Sequence, residues 1–138
     1  MRLRVLCLAA LVSALAGCGG RSTTTPFPQT VIGTLPQQQA IPKGDPTRGK
    51  ELFAANGCGA CHAYGPAGST GTIGPGLDNL AADAKKANQG TLEEYVAASI
   101  QNPGAYVVPG YQNGVMPSFN QLTPQQVGDL VAFLTQSS

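Results

Sequence analysis

Two cysteines and a histidine form the most informative cluster in this 138-residue sequence. Cys58 and Cys61 are separated by two residues, and His62, the only histidine of the chain, follows immediately. Two thiols one helical turn apart can form thioether bonds with the two vinyl groups on one edge of a porphyrin, while the adjacent imidazole turns under the ring to reach the iron. This C-x-x-C-H spacing is the signature of covalent haem attachment. The sequence therefore predicts one haem c held by these three residues.

Other uses of a C-x-x-C pair fit the sequence less well. A zinc site takes about four ligands, commonly from two such pairs, and no second pair is present. A thioredoxin-like redox pair lies in a βαβ context, whereas the flanking segments have the patterns of helices and loops. A chance structural occurrence of the motif is the remaining alternative.

Met116 is the candidate for the second axial ligand, which decides what the iron can do. The only other methionine, Met1, belongs to an N-terminal segment that we expect to be removed. A lone methionine more often fills a gap in a hydrophobic core. However, Met116 follows a loop rich in Gly and Pro and is followed by Pro117, and such turn-rich surroundings argue against simple core packing.

The N-terminus has the pattern of an export signal, which we assign to residues 1–17. Arg2 and Arg4 precede an apolar run over residues 5–16, and this run is shorter than the roughly 20 residues needed to span a bilayer. The stretch L-A-G-C resembles the lipobox of bacterial lipoprotein signals, which implies a lipid on Cys18. Ordinary cleavage after Gly17 or Gly20 is the alternative. With the lipid, the protein would lie outside the cytoplasm, anchored to the cell membrane on its periplasmic or outer face.

The remaining chain divides into a linker and one domain. Residues 18–42 are rich in Thr, Gln and Pro without hydrophobic periodicity, which indicates a flexible linker. Residues 43–138 are enough for one small domain, whose core is thin without a prosthetic group. All seven acidic residues but only five of the eight basic ones lie in this part. Without a basic stripe to contact phosphates, we do not expect binding to nucleic acid. We expect the protein to be a monomer.

Helix signals dominate this domain and indicate an all-α fold of three to four helices. Asp45 and Pro46 begin a predicted helix over residues 46–56, and Gly49 within it suggests a close approach by another element. Capping boxes at Thr91 and Thr123 begin two more helices, over residues 91–102 and from residue 123 towards the C-terminus. A shorter helical piece is predicted over residues 77–87.

Residues 44–134 resemble the class I cytochromes c through the ordered set of C-x-x-C-H, Gly74-Pro75 and Met116-Pro117. The resemblance implies the small fold of that family, with helices and loops wrapped around one covalent haem and Met116 on the iron. It also implies that the Pro75 carbonyl accepts a hydrogen bond from His62; otherwise this Gly-Pro pair marks only a turn. Gly49, Phe53 and Phe133 match the family's crossing of terminal helices. The sequence departs from the family in an insertion over residues 65–72 and in having no Trp.

These features predict an electron carrier rather than an enzyme. With His62 and Met116 both on the iron, no coordination position is open for a substrate. The expected partners are membrane redox complexes or other electron carriers of a respiratory or photosynthetic chain. The alternatives are a five-coordinate haem protein for gas binding or peroxide chemistry, and a fixed haem subunit of a larger oxidoreductase complex.

Overall fold

The computed structural model describes residues 40–136, which lie within one compact unit. This part of the chain contains four α-helices, which we number in chain order: α1 (Pro46–Ala55), α2 (Leu80–Ala87), α3 (Leu92–Gln101) and α4 (Pro124–Thr135). None of them is both long enough and apolar enough to cross a bilayer. The predicted signal segment, the lipid site at Cys18 and the linker up to residue 39 lie outside the described residues.

Helices α1, α3 and α4 begin at the positions predicted from their capping residues. The Asp45 side chain accepts a hydrogen bond from the Thr47 backbone N–H at 2.8 Å, and Pro46 follows in the first turn of α1. Thr91 with Glu94 and Thr123 with Gln126 form reciprocal capping boxes at the starts of α3 and α4. Each box satisfies backbone N–H groups that the first helical turn leaves without an internal partner.

Helices α1 and α4 cross at Gly49 with almost no space between them. A Cβ atom at position 49 would overlap the Asp129 carbonyl oxygen and lie 2.6 Å from the Phe133 Cβ. The close approach predicted from Gly49 is therefore confirmed. Phe53 and Phe133 meet beside this crossing with their ring centroids 5.8 Å apart in an edge-to-face arrangement, so the aromatic positions matched to the family crossing also pack together.

Tyr64 completes this aromatic cluster from the loop that follows the C-x-x-C-H motif. Its ring is fully buried and lies edge-on to Phe133, with the centroids 5.2 Å apart. The Tyr64 hydroxyl lies 2.9 Å from the Phe133 carbonyl, to which it donates, and 3.2 Å from the Leu134 carbonyl. Thus the end of α4 is fastened to the segment next to the motif.

The loop regions differ from the sequence prediction in two details. The predicted insertion provides the turn and the second strand of a short antiparallel hairpin, in which β1 (Ala63–Tyr64) pairs with β2 (Ser69–Thr70). The helix predicted over residues 77–87 begins only at Leu80, because Leu77 and Asp78 are used for contacts with the preceding loop. The Leu77 N–H donates to the Ala63 carbonyl, and the Asp78 carboxylate accepts from the Gly65 N–H. The all-α class with little strand is confirmed.

Candidate functional site

One large cleft opens between the loop carrying the C-x-x-C-H motif, helix α3 and the segment that leads to α4. The lining is mainly apolar. The predicted site residues Cys58, Cys61, His62, Pro75 and Met116 all line it. The structure thus brings together five residues that are up to 58 positions apart in the sequence. Cys18 lies outside the described residues.

The end of α1 shapes the segment that carries the two thiols. Gly57 adopts a left-handed conformation with a φ of 69° and stops the helix, and a single 3-10 turn, Cys58–Ala60, follows. The His62 N–H donates to the Cys58 carbonyl at 3.0 Å. This turn places both half-buried cysteines and the imidazole at the same cleft. Burial raises the pKa of the Cys58 thiol, as does the neighbouring Cys61 to a smaller degree.

The imidazole of His62 is buried and held in one orientation. Its Nδ1 lies 2.8 Å from the Pro75 carbonyl oxygen. A carbonyl can only accept, so Nδ1 carries a proton, and in the neutral ring the lone pair is on Nε2. A neutral imidazole of this tautomer is ready to bind a metal through Nε2. Its use as an axial ligand, and the role of Pro75 in supporting it, stay predictions.

Gly74 is a part of this site that sequence reasoning missed. Its N–H donates to the Cys61 carbonyl at 2.8 Å, which draws the loop across the face of the imidazole. A Cβ atom at position 74 would overlap the His62 Cε1 and lie 2.8 Å from Nδ1. The Gly-Pro pair was the available signal in the sequence, but only the role of the proline carbonyl was predicted from it.

Met116 reaches the cleft from the segment that leads to α4. It is partly exposed, and its neighbours Val115 and Pro117 line the cleft with it. The segment is fixed at its end by the Phe119 N–H, which donates to the Ile100 carbonyl of α3 at 3.0 Å. A thioether sulfur and an imidazole therefore share one apolar cleft. Direct coordination by Met116 stays a prediction.

Two tyrosines belong to the wall of the cleft. Tyr95 and Tyr106 line it with their rings edge-to-face and their centroids 6.0 Å apart, whereas Tyr111 is not among the lining residues. Burial raises the pKa of Tyr95, and the nearby carboxylate of Asp83 raises it further. At neutral pH Tyr95 is therefore an uncharged part of the wall.

Haem fits these residues chemically. The cleft combines apolar walls, which a porphyrin needs, with two thiols for thioether bonds and an imidazole whose Nε2 lone pair is free of the Pro75 hydrogen bond. The family model of cytochrome c matches residues 46–138, which is more than half of the chain. The chain belongs to the cytochrome c family. A search among curated proteins gave no match to it.

Membership assigns the general chemistry of the cleft. Cytochrome c domains bind haem c covalently, and the family members are in general haem-based electron carriers. The motif at Cys58, Cys61 and His62 lies within the matched residues, as do Pro75 and Met116. This cytochrome c domain therefore has a haem-based electron-carrier function in general terms.

Proposed function

We propose that this chain is a mono-haem, class I cytochrome c that is tethered to a membrane by lipid and passes single electrons between redox partners. The observation that carries the proposal is the hydrogen bond between His62 Nδ1 and the Pro75 carbonyl, in a cleft that Met116 and both motif cysteines also line. Haem c supplies the one-electron redox change when bound. The residues of the chain determine how it is held and how far it is exposed.

His62 and Met116 would together close the coordination sphere. The donated Nδ1 proton orients the His62 ring and raises the basicity of Nε2, as outer hydrogen bonds of metal-bound histidines do. Coordination by the Met116 thioether would raise the reduction potential. The chain has no second histidine to act as a distal base for peroxide chemistry. This residue inventory supports an electron carrier over a gas-binding or peroxide-using protein.

The proposed tether starts at Cys18, where the resemblance to a lipobox implies acylation. Residues 19–42 would span about 27 Å r.m.s. as a flexible coil and about 75 Å as an extended polyproline-like segment. The domain would then be confined to a layer above the membrane and would still reach more than one partner. Membrane redox complexes or other electron carriers, outside the cytoplasm, are the partners that suit such a layer.

Visible spectroscopy with and without carbon monoxide tests the coordination. The reduced protein should bind carbon monoxide slowly or not at all, whereas a Met116→Ala variant should bind it rapidly because a position on the iron is then open. Val115→Ala, which changes the neighbouring side chain and keeps the thioether, is the matched control and should behave as the unmodified protein. Rapid binding by the unmodified protein would establish the five-coordinate alternative.

Mass spectrometry tests the remaining parts of the proposal. The intact mass of the protein from the membrane fraction should correspond to an acylated chain with one haem, and Cys18→Ser should abolish the acylation. An unmodified, soluble product would refute the tether. Copurification with stoichiometric subunits after detergent extraction would instead identify a fixed subunit of a larger complex.

A further inference from the structure

The charges of the described domain are unevenly distributed along the chain. Residues 52–77 and residues 95–128 contain no Asp, Glu, Lys or Arg. These two segments provide all of the cleft lining except Leu80, Asp83, Leu130 and Leu134. We call the parts of the two segments that line the cleft the uncharged rim. Asp83 is thus the only one of the described cleft-lining residues that carries a carboxylate, and it is paired with Lys86 at 3.6 Å.

Large apolar side chains are exposed in both segments of this rim. Ile73 is 59% exposed and precedes the Gly74-Pro75 pair that contacts His62, and Val115 is 50% exposed and precedes Met116. The remaining large hydrophobic residue with high exposure in the described part is Tyr111, in the same loop as Val115. Exposed apolar groups concentrated at one site on a small domain are typical of an interaction surface.

The absence of charge on the uncharged rim restricts the kind of partner surface that can bind there. A charged group of a partner pressed against the uncharged rim would lose hydration and find no opposite charge in return. An uncharged, apolar partner surface loses little on contact and gains by covering Ile73 and Val115. The rim also lacks the basic side chains that would attract anionic lipid headgroups, and its two exposed apolar residues are too few for a stable dimer interface.

From these observations we infer that a redox protein docks on the uncharged rim through an uncharged apolar surface of its own, with Ile73 and Val115 at the contact. The inference rests on the proposed electron-carrier function and adds the chemistry of the partner. Association through such a surface lacks long-range charge steering. The rate of encounter should therefore depend little on ionic strength, unlike that of charge-steered redox pairs.

Electron self-exchange of the holoprotein provides the probe, because it brings two uncharged rims together without a second protein. The full-length acylated holoprotein in nonionic detergent is mixed in its oxidised and reduced forms, and the second-order rate constant is measured by NMR line broadening. Between about 10 mM and about 500 mM NaCl, this rate constant should change by less than about two-fold.

A charged residue introduced at the uncharged rim should make the self-exchange rate depend on salt. Ile73→Lys and Val115→Lys should each lower the self-exchange rate by about five-fold at low salt, because like charges then face one another, and added salt should restore part of the loss. Ala98→Lys makes the same change of net charge at an exposed position of α3 outside the cleft lining, and it should leave the rate unchanged.

Several outcomes would overturn the inference while leaving the electron-carrier function intact. These are a change of more than about ten-fold with salt in the unmodified protein, or equal losses in Ala98→Lys and in the rim variants. A stable dimer that Val115→Lys dissociates would assign the rim to a second copy. Oxidation by tris(phenanthroline)cobalt that is far slower in liposomes than in detergent would assign it to lipid. Failure of the haem to cycle between oxidation states would instead refute the proposed function.

Discussion

The backbone of Gly74 lies against the imidazole ring of His62, so close that a Cβ atom at position 74 would overlap Cε1 and lie 2.8 Å from Nδ1. The same loop supplies the Pro75 carbonyl that accepts the ring proton. The ring is therefore held from its face and from its edge by consecutive residues. Glycine is therefore required at position 74 by the contact with His62, and not only by the turn.

Gly74→Ala should disturb the haem site although no ligand is changed. The added methyl group must push the ring away or lengthen the bond to Pro75, so we expect a lower haem content per chain and an altered reduction potential. Both are measurable by visible spectroscopy and redox titration of the purified protein. Gly76→Ala is the control, because a Cβ there would meet only the Ala63 carbonyl, at 4.0 Å. Equal behaviour of the two variants would contradict this role of Gly74.

Gly49→Ala should destabilise the domain by about 3 kcal/mol, because backbone and Phe133 atoms of α4 occupy the space. This cost exceeds the gain of about 1 kcal/mol that Ala brings to a helix interior. Denaturant unfolding of the holoprotein checks it. At Gly104, the nearest atom to an added Cβ would be the Asn113 side-chain oxygen at 3.4 Å, so Gly104→Ala should stay within about 0.5 kcal/mol of the parent. A stable Gly49→Ala protein would mean that the helices can separate at little cost.

Acid should weaken the junction of α1 and α4 through Asp129, which is 3% exposed. Burial alone would raise its pKa, but the Asp45 N–H, the Gln125 amide and the Arg48 guanidinium donate to it and hold the pKa below its ordinary value. The stabilisation is therefore present above the unfolded-state pKa of about 3.9 and is lost as the pH falls through the lower, folded-state value. Unfolding free energies of the holoprotein from pH 7 to pH 3 measure this loss.

Asp129→Asn separates this group from the other carboxylates. The variant should be about 2 kcal/mol less stable at neutral pH, because charge-assisted hydrogen bonds are lost and an amide N–H₂ faces donors. Its stability should also fall less steeply between neutral and acid pH. The control is Asp83→Asn, which affects a more exposed ion pair with Lys86 and should cost at most about 0.5 kcal/mol. An unchanged acid profile in Asp129→Asn would show that another group is responsible.

Tyr64→Phe should cost about 1 kcal/mol, because the hydroxyl donates to the Phe133 carbonyl while the ring remains packed in the aromatic cluster. Haem content should be preserved, since Tyr64 itself does not line the cleft. Thermal unfolding of the holoprotein, beside a Tyr111→Phe variant at a 40% exposed position, measures the difference. A loss of haem without a loss of stability would place the role of Tyr64 at the cofactor instead.

The sequence predicted those parts of the fold that local chemistry determines. Asp45, Thr91 and Thr123 each carry a side-chain oxygen that caps a helix within three residues, so the helix starts were readable. The motif residues could also be predicted, because covalent attachment of the cofactor requires their spacing. The fold class and the close approach at Gly49 followed from these local signals and from the family resemblance.

What the sequence did not reveal depends on contacts between distant segments. The capping box that predicted α4 gave no reason to expect a buried Asp129, which is buried because α1 begins directly over it and donates from the Asp45 N–H at 2.8 Å. The start of α2 at Leu80 depends on bonds between residues 77–78 and the hairpin loop. Likewise, the uncharged rim is recognisable only once two segments of the chain are known to line one cleft.

The chain enters the domain across the backbone of α4, and this determines how a pull on the linker is transmitted. A Cβ at Gly44 would overlap the Gly128 carbonyl oxygen, a Cβ at Gly128 would overlap the Pro42 carbonyl oxygen, and Gln125 donates to the Lys43 carbonyl at 3.2 Å. No residue from 40 to 52 lines the cleft. In a tethered protein, tension from the membrane would therefore act first on the junction with the C-terminal helix rather than directly on the loops around His62 and Met116.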